Sequence, residues 1–254
     1  MGMRLGSVAL AVISLALAPV VATSAAAAAP ILASDLILKS NTANLQYSWR
    51  VPPEVGVEPP LFEVMRGKAQ AGFSAGLAQA NADATAAKKA GFPVHQYTDL
   101  RYWTVTADTT RLLALTGLLY GYTGGAHGNT GYDSVIWDRK TRTAISLPSL
   151  FSDRAKARAI IEPLVCKALA AEQKERRGGQ KMAPEFEKCP PLSQATLVPY
   201  GGMTPVAHSL RVIFAPYVAG PYAEGSYEIT IPWPEAVKPL VKPEFREDLF
   251  GVMQ

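Results

Sequence analysis

The chain has 254 residues, with 25 Lys plus Arg against 21 Asp plus Glu and a formal net charge of +4. Hydrophobic residues make up 48% of it, a value typical of a folded globular protein rather than a disordered one. This length and composition exclude a disulfide-dense miniprotein, a collagen and a polytopic membrane protein, and they leave room for one domain or two small ones.

The N-terminus has the pattern of a secretory signal peptide over residues 1–29. Arg4 supplies a short positive region, residues 8–21 form an apolar run, and small residues follow. That order predicts cleavage between Ala25 and Ala29. An uncleaved anchor helix is the alternative, because the whole segment is long enough to span a bilayer. With cleavage we expect a bacterial protein that is periplasmic or secreted, with no further membrane span and no nucleic acid as a partner.

The first half of the remaining chain alternates strand and helix patterns. Residues 35–51 read as a strand region, and the Pro-rich residues 51–60 predict a connection that is neither helix nor central strand. Residues 61–89 have apolar side chains at helical spacing, and the Gly91-Phe92-Pro93 run that follows predicts the end of a helix. Two strands, 97–105 and 111–122, then form a predicted hairpin.

The second half continues with shorter elements. A glycine-rich loop covers 122–131, strands are expected at 132–137 and 143–147, and a helix capped by Ser152 or Asp153 runs to about Arg177. Two β runs and a last short helix follow. They lie at 210–214, 227–231 and 234–241.

This pattern predicts an α+β fold, in two small mixed units with antiparallel strands in hairpins and helices packed on one side. We place the units at residues 30–120, an N-terminal α/β unit, and 121–250, a C-terminal α+β unit.

Cys166 and Cys189 are the only cysteines. An even number of thiols in an exported protein favours a disulfide between them, which would stabilise the fold by about 3 kcal/mol. Two separate buried thiols are the alternative.

The segment Gly72-Phe73-Ser74-Ala75-Gly76 matches the G-x-S-x-G motif of many serine hydrolases. The motif needs a strand-to-helix turn, whereas here it lies inside a predicted helix, so an incidental match is favoured. A hydrolase using Ser74 with His127 or His208 as base stays as the alternative function.

The loop around His127 carries the best candidate for binding. Its glycines at 124, 125, 128 and 131 allow positive φ or close approach to a ligand, and the loop amides could form an anion nest. A constrained hairpin loop is the competing interpretation. Of the other two histidines, His95 and His208, we expect only strand-edge polar roles.

Two further groups of side chains have open interpretations. The aromatic residues near the C-terminus could form a sugar- or peptide-binding surface or pack a final hairpin. They are Tyr217, Tyr222, Tyr227 and Trp233. The basic residues around the second helix could be a solvated face or could attract anionic envelope polymers. They are Arg154, Lys156, Arg158, Lys174, Arg176, Arg177 and Lys181.

Three stretches, taken in order, resemble a known exported domain pair of unknown function. They are Tyr-Thr-Gly-Gly-Ala-His-Gly-Asn at 122–129, Trp-Asp-Arg-Lys-Thr at 137–141 leading to Leu150-Phe151, and Ala-Pro-Tyr-Val-Ala-Gly-Pro-Tyr-Ala-Glu-Gly at 215–225. The pair is shared by the lysozyme-sensing anti-sigma factor RsiV and the accessory region of the peptidoglycan deacetylase PdaC. The resemblance implies an α+β envelope protein that binds a ligand and has no catalytic role.

We therefore expect a non-catalytic extracytoplasmic module that binds an envelope ligand, either a peptidoglycan-type glycan or a cell-wall hydrolase such as a lysozyme-like protein. No catalytic residue, cofactor or metal is expected. The ligand-binding candidates are Gly124, Gly125, His127, Gly128, Asn129, Tyr217 and Tyr222.

Overall fold

The computed structural model describes residues 37–202 and 204–251. The predicted signal peptide and the start of the first strand region lie outside these residues. The larger of two sheets has six strands, which are neighbours in chain order. They are β1 (Leu38–Asn41), β2 (Leu45–Arg50), β3 (Tyr97–Asp108), β4 (Leu112–Tyr122), β5 (Asn129–Asp138) and β6 (Thr143–Ile145).

The strands β2 and β3 are parallel, while every other pair in the larger sheet is antiparallel. The predicted antiparallel pairing therefore holds for four of the five strand pairs of this sheet, and the pair of β2 with β3 is the exception. A parallel pair needs a long crossover, and the helix α2 (Pro59–Ala90) supplies it. The helix ends where Gly91 takes the left-handed conformation with φ of 74°, as the Gly-Phe-Pro run predicted.

The Pro-rich connection is more helical than expected. A single helical turn, α1 (Pro53–Gly56), lies within it, and α2 already begins at Pro59. The prediction failed because proline is tolerated in the first turn of a helix, where its missing N–H would have no partner.

The helix α2 covers one face of the larger sheet. Alternate strand residues point to this face and form a core with the apolar stripe of the helix. Its largest members are Tyr47, Trp49, Trp103, Trp137 and Met65, all almost fully buried. The hydroxyl of Tyr47 donates to the carbonyl of Ala69, so the only polar atom of that side chain is satisfied inside the core.

The opposite face of the larger sheet carries the second core. A three-stranded antiparallel sheet and a long helix pack against its Leu112, Ala114 and Ile136. The strands are β7 (Thr196–Tyr200), β8 (Ser209–Phe214) and β9 (Tyr227–Pro232), and the helix is α3 (Arg154–Arg176). The sequence did not predict β7, a five-residue strand at the edge of its sheet whose fourth residue is Pro199.

The ends of α3 match the prediction. The carboxylate of Asp153 accepts from the backbone N–H of Lys156, and two left-handed glycines, Gly178 and Gly179, follow the last turn. Pro163 lies within the helix.

The C-terminal segment is held by one buried carboxylate. The predicted last helix is a 3₁₀ turn, Glu235–Leu240, and a short helix α4 (Arg246–Phe250) follows it. In α4, Asp248 accepts from the hydroxyl of Thr109 and from the backbone N–H of Arg111, at 2.6 and 2.9 Å.

These elements confirm the α+β class. The boundary between units near residue 120 stays a prediction, and it falls within β4. Across residues 37–202 and 204–251, no helix has the length and apolar character needed to cross a membrane.

Candidate functional site

Two distant loops meet at one exposed aromatic cluster, formed by His127, Tyr217 and Tyr222. The rings of His127 and Tyr222 are stacked, with centroids 3.9 Å apart and an interplanar angle of 21°. The hydroxyl of Tyr217 lies 3.2 Å from Nε2 of His127. The sequence placed all three among the ligand-binding candidates, and the fold brings them together across about 90 residues of chain.

Tyr217 is exposed and has an unusual backbone conformation. The residue is 54% accessible, and its φ is 71°. A residue with a Cβ rarely adopts that left-handed backbone conformation, and the strain costs on the order of 1–2 kcal/mol. The fold therefore holds a large aromatic ring out in solvent at a backbone position that would suit glycine.

The glycines of the His127 loop have separate roles. Gly124 has a φ of 92°, and a Cβ there would lie 3.2 Å from the ring of His95. Gly128 is buried against Tyr120, and a Cβ at this position would overlap the Tyr120 ring. Its carbonyl accepts from the hydroxyl of Tyr222 at 2.9 Å and from Nδ1 of His127 at 2.9 Å. The loop thereby fixes the orientation of the two stacked rings.

The remaining two candidates are exposed and less constrained. Gly125 has no side chain within 4 Å of the position of a Cβ, and Asn129 is the first residue of β5. The backbone at both has negative φ, so positive φ is needed only at Gly124 in this loop.

An ion pair that the sequence did not predict positions the Tyr222 turn. Arg177, just beyond α3, donates through Nε and Nη2 to the two carboxylate oxygens of Glu224, at 2.9 and 3.0 Å. The Arg177 guanidinium lowers the pKa of Glu224. The hydroxyl of Tyr227 also donates to Glu224, and burial together with this bond raises the pKa of Tyr227 to about 12. The interpretation of Arg177 as part of a solvated face is wrong, since its side chain is only 6% exposed.

The aromatic residues near the C-terminus divide into two groups. Tyr227 and Trp233 are buried in the second core, so they pack the fold. Tyr217 and Tyr222 instead face the loop of His127. The indole N–H of Trp233 donates to the carbonyl of Ala207 at 2.6 Å.

The aromatic cluster borders a groove of about 550 Å³. Tyr217 and Val218 form one side, and the segment 185–194 forms the other. The disulfide between Cys166 and Cys189 ties this segment to α3, as the sequence predicted. Tyr217 is the only member of the cluster among the lining residues of the groove, so the cluster adjoins the groove at Tyr217.

A larger hollow of about 900 Å³ lies elsewhere, between the edge of β5 and β6 and the first half of α3. Its floor is apolar, with Ile136, Phe151 and Ile161, and Arg154 and Arg158 also line it. None of the predicted ligand-binding residues lines this hollow.

The residues of the hydrolase alternative each bond to other neighbours. They are Ser74, His127 and His208. Ser74 lies in the middle of α2, exposed, and its hydroxyl accepts from the side chain of Gln70 at 3.5 Å. The ring of His127 is bonded to Tyr217 and Gly128, and Nδ1 of His208 lies 2.9 Å from the hydroxyl of Ser209. The strand-to-helix turn that the motif requires is absent around residues 72–76, because these lie within the helix.

No group of three or more His, Cys, Asp or Glu side chains suited to a metal ion occurs within residues 37–202 and 204–251.

Two family models match consecutive parts of the chain. The one described as Deacetylase PdaC matches residues 39–130, and the one described as a protein of unknown function, DUF3298, matches residues 148–234. The two matches follow one another along the chain, and each covers about a third of it. The resemblance drawn from the sequence is confirmed. His127 lies in the PdaC match and Tyr217 and Tyr222 lie in the DUF3298 match, so the aromatic cluster contains residues from both matched segments.

Two solved structures of DUF3298 family proteins align with this chain. A DUF3298 family protein from Pseudomonas aeruginosa PAO1 aligns with a TM-score of 0.50 and 19% identity, over 82% of this chain and 90% of that one. A member of the family from Bacteroides fragilis NCTC 9343 gives a TM-score of 0.48 and 16% identity, over 79% and 85% of the two chains. The first likeness supports the fold. A comparison with curated proteins gave no match.

Proposed function

We propose that the protein is an exported, non-catalytic module that binds a peptidoglycan-type glycan through His127, Tyr217 and Tyr222. The observation that carries the proposal is the position of Tyr217, which is held 54% exposed in a strained conformation beside a stacked His–Tyr pair. Exposed aromatic rings offer an apolar surface with a polar edge, which suits the alternating apolar and hydroxyl surfaces of sugar rings. Backbone strain retained at an exposed side chain is a feature of ligand-binding sites.

The groove beside Tyr217 supports the same proposal. Its volume of about 550 Å³ is within the usual range for ligand sites, and the disulfide restrains its far wall. A rigid wall lowers the entropy lost when a flexible polysaccharide is bound. The tandem PdaC and DUF3298 domains favour an extracytoplasmic location, where such a glycan is available.

The test is co-sedimentation of the purified protein with peptidoglycan sacculi, followed by titration with soluble N-acetylglucosamine oligomers. We expect each of His127→Ala, Tyr217→Ala and Tyr222→Ala to weaken binding about tenfold, the loss of one aromatic contact. Phe92→Ala is the control, because Phe92 is an aromatic residue, 70% exposed, outside the cluster. Variants that bind as wild type does would show that the cluster is not the site.

Lysozyme in the same assay tests the competing partner. Binding of lysozyme with no binding of sacculi would replace the glycan proposal by a protein-binding one.

The hydrolase alternative is tested with a fluorophosphonate probe. We expect no labelling of Ser74, and labelling that disappears in Ser74→Ala would overturn the non-catalytic part of the proposal.

A further inference from the structure

Among residues 37–202 and 204–251, no helix or strand covers part of the larger sheet on the side of the second core. The three-stranded sheet begins to cover that side near Thr106, whose carbonyl accepts from the N–H of Gly201 at 2.8 Å. On β1 to β4, away from that contact, the larger outward side chains are exposed or partly exposed, while the small Ser48 and Thr116 are buried between them. We name this surface the open sheet face. It consists of Lys39, Arg50, Leu100, Tyr102, Leu118 and Tyr120.

Strand alternation and register place these side chains together. Trp49 and Trp103 point into the core under α2, so their neighbours Arg50 and Tyr102 point to the other side. Arg50 is opposite Tyr102, and Tyr102 is opposite Leu118. Leu100 is opposite Tyr120 and Ser48, and Ser48 is opposite Lys39. Four strands at a spacing of about 4.8 Å make this surface roughly 14 Å wide.

The open sheet face is both apolar and basic. Tyr102 is 39% exposed and Leu118 is 36% exposed, while Lys39 and Arg50 are exposed at one side. Its other outward positions along β1 to β4 carry neutral residues. They are Asn41, Gln46, Ser48, Thr98, Thr104, Thr116 and Tyr122. The nearest acid on these strands, Asp99, points to the opposite side, where it accepts from Arg101. The surface therefore has a positive potential that no carboxylate on it offsets.

This surface is continuous with the aromatic cluster. The ring of Tyr120 lies against Gly128, and the carbonyl of Gly128 accepts from Tyr222. A bound chain that leaves the stacked rings of His127 and Tyr222 can therefore cross Tyr120 and Tyr102 towards Arg50 and Lys39.

We propose that the open sheet face binds the carboxylate-bearing part of the same glycan, with Arg50 and Lys39 pairing the carboxylates and Tyr102 and Leu118 contacting the apolar parts. This inference rests on the proposed function and specifies its ligand as an acidic glycan. Arg suits this role because its guanidinium can donate two parallel hydrogen bonds to one carboxylate.

The experiment compares acidic disaccharide-peptide fragments of peptidoglycan with the same fragments after their carboxylates have been amidated. We expect Lys39→Gln with Arg50→Gln to weaken binding of the acidic fragments about tenfold, and to leave binding of the amidated fragments unchanged. The control is Lys88→Gln with Lys89→Gln, which removes the same charge from the exposed end of α2. It should bind both fragments as wild type does.

The outcomes separate this inference from the proposed function. If the Lys39–Arg50 variant binds acidic fragments as wild type does, while Tyr217→Ala does not, the open sheet face is not part of the site and the aromatic cluster still is. Equal losses in the Lys39–Arg50 and Lys88–Lys89 variants would mean that only net charge matters, which also overturns the inference. A wild-type protein that binds neither fragment overturns the proposed function itself.

Discussion

Arg177 and Glu224 connect the end of α3 to the turn that carries Tyr222, through two parallel hydrogen bonds between guanidinium and carboxylate. Both side chains are largely removed from water, with 6% and 15% of their surfaces exposed. Pairs of this kind are costly to break, because the remaining charge loses its partner without regaining solvent. The pair therefore couples the stability of the helix end to the geometry of the candidate site.

Glu224→Gln should lower both stability and binding. The amide keeps the size of the side chain but removes the closest carboxylate of Arg177 and leaves only the more distant Glu187, at 3.6 Å, so we expect the free energy of unfolding to fall by about 2 kcal/mol. Urea denaturation measures this change. The matched control is Glu172→Gln on α3, which loses a partly exposed pair with Arg176 and should change stability by less than about 0.5 kcal/mol. Equal effects at the two positions would contradict a structural role for the buried pair.

Acid should destabilise the fold through the pair of Asp138 and Arg111. Asp138 is 2% exposed and accepts from Arg111 at 2.9 and 2.8 Å. Burial favours a raised pKa, but the bonds from Arg111 and from the N–H of Lys140 outweigh it, so the pKa of Asp138 lies below its ordinary value of 3.8. A carboxyl with a lowered pKa stabilises the fold above its unfolded pKa, and this stabilisation is lost as the pH falls through the folded value.

The free energy of unfolding should therefore decrease as the pH drops below about 4, measured by urea denaturation at a series of pH values. Asp138→Asn should be less stable at neutral pH and show a shallower decrease in acid. The comparison variant is Glu63→Gln, at an exposed pair with Arg66. If the free energy of unfolding of Asp138→Asn falls with decreasing pH as steeply as that of the wild type, groups other than Asp138 cause the acid sensitivity.

Gly128→Ala tests the close approach inside the His127 loop. An added Cβ overlaps the ring of Tyr120, so either the ring or the loop must move, at a cost of about 1–3 kcal/mol. Gly131→Ala is a matched control in the same segment, because nothing lies within 4 Å of its Cβ position. We expect thermal unfolding to show a lower Tm only for Gly128→Ala, and glycan binding to be lost with it. A Gly128→Ala protein with the Tm of the wild type would mean that the Tyr120 ring moves aside at little energetic cost.

The sequence predicted the parts of this site that depend on local chemistry. The loop glycines and the end of α3 could be identified because turn and cap residues have local signatures, whereas the sequence left open whether Tyr217 is exposed or packed. The parallel pairing of β2 with β3, the edge strand β7 and the pairing of Arg177 with Glu224 depend on which elements meet in three dimensions. No local pattern around Arg177 distinguishes it from the basic residues that precede it, since the groups that bond its guanidinium lie 9 to 47 positions later, at Phe186, Ala219 and Glu224.

The disulfide should stabilise the groove wall beside Tyr217. It closes a loop of 23 positions between α3 and the segment after it, and the double variant Cys166→Ala with Cys189→Ala should lose about 3 kcal/mol of stability. Urea denaturation of the wild type with dithiothreitol should give the same loss, whereas dithiothreitol should not affect the variant. In hydrogen exchange, residues 178–191 should lose the most protection. An unchanged exchange rate there would show that the wall is rigid without the bond.

Tyr217→Gly should separate stability from binding. Glycine adopts a φ of 71° without steric cost, and the side chain that is removed is half exposed. We expect the strain relief, about 1 kcal/mol, to offset the greater flexibility of glycine in the unfolded chain, so that Tm stays within a few degrees of the wild type. Tyr217→Ala keeps the strain and loses the ring, so it should be the less stable of the two. Both should lose glycan binding equally. A Tyr217→Gly protein that unfolds at a much lower Tm would mean that the ring is held for packing, and the strained backbone would then have a structural explanation instead of a functional one.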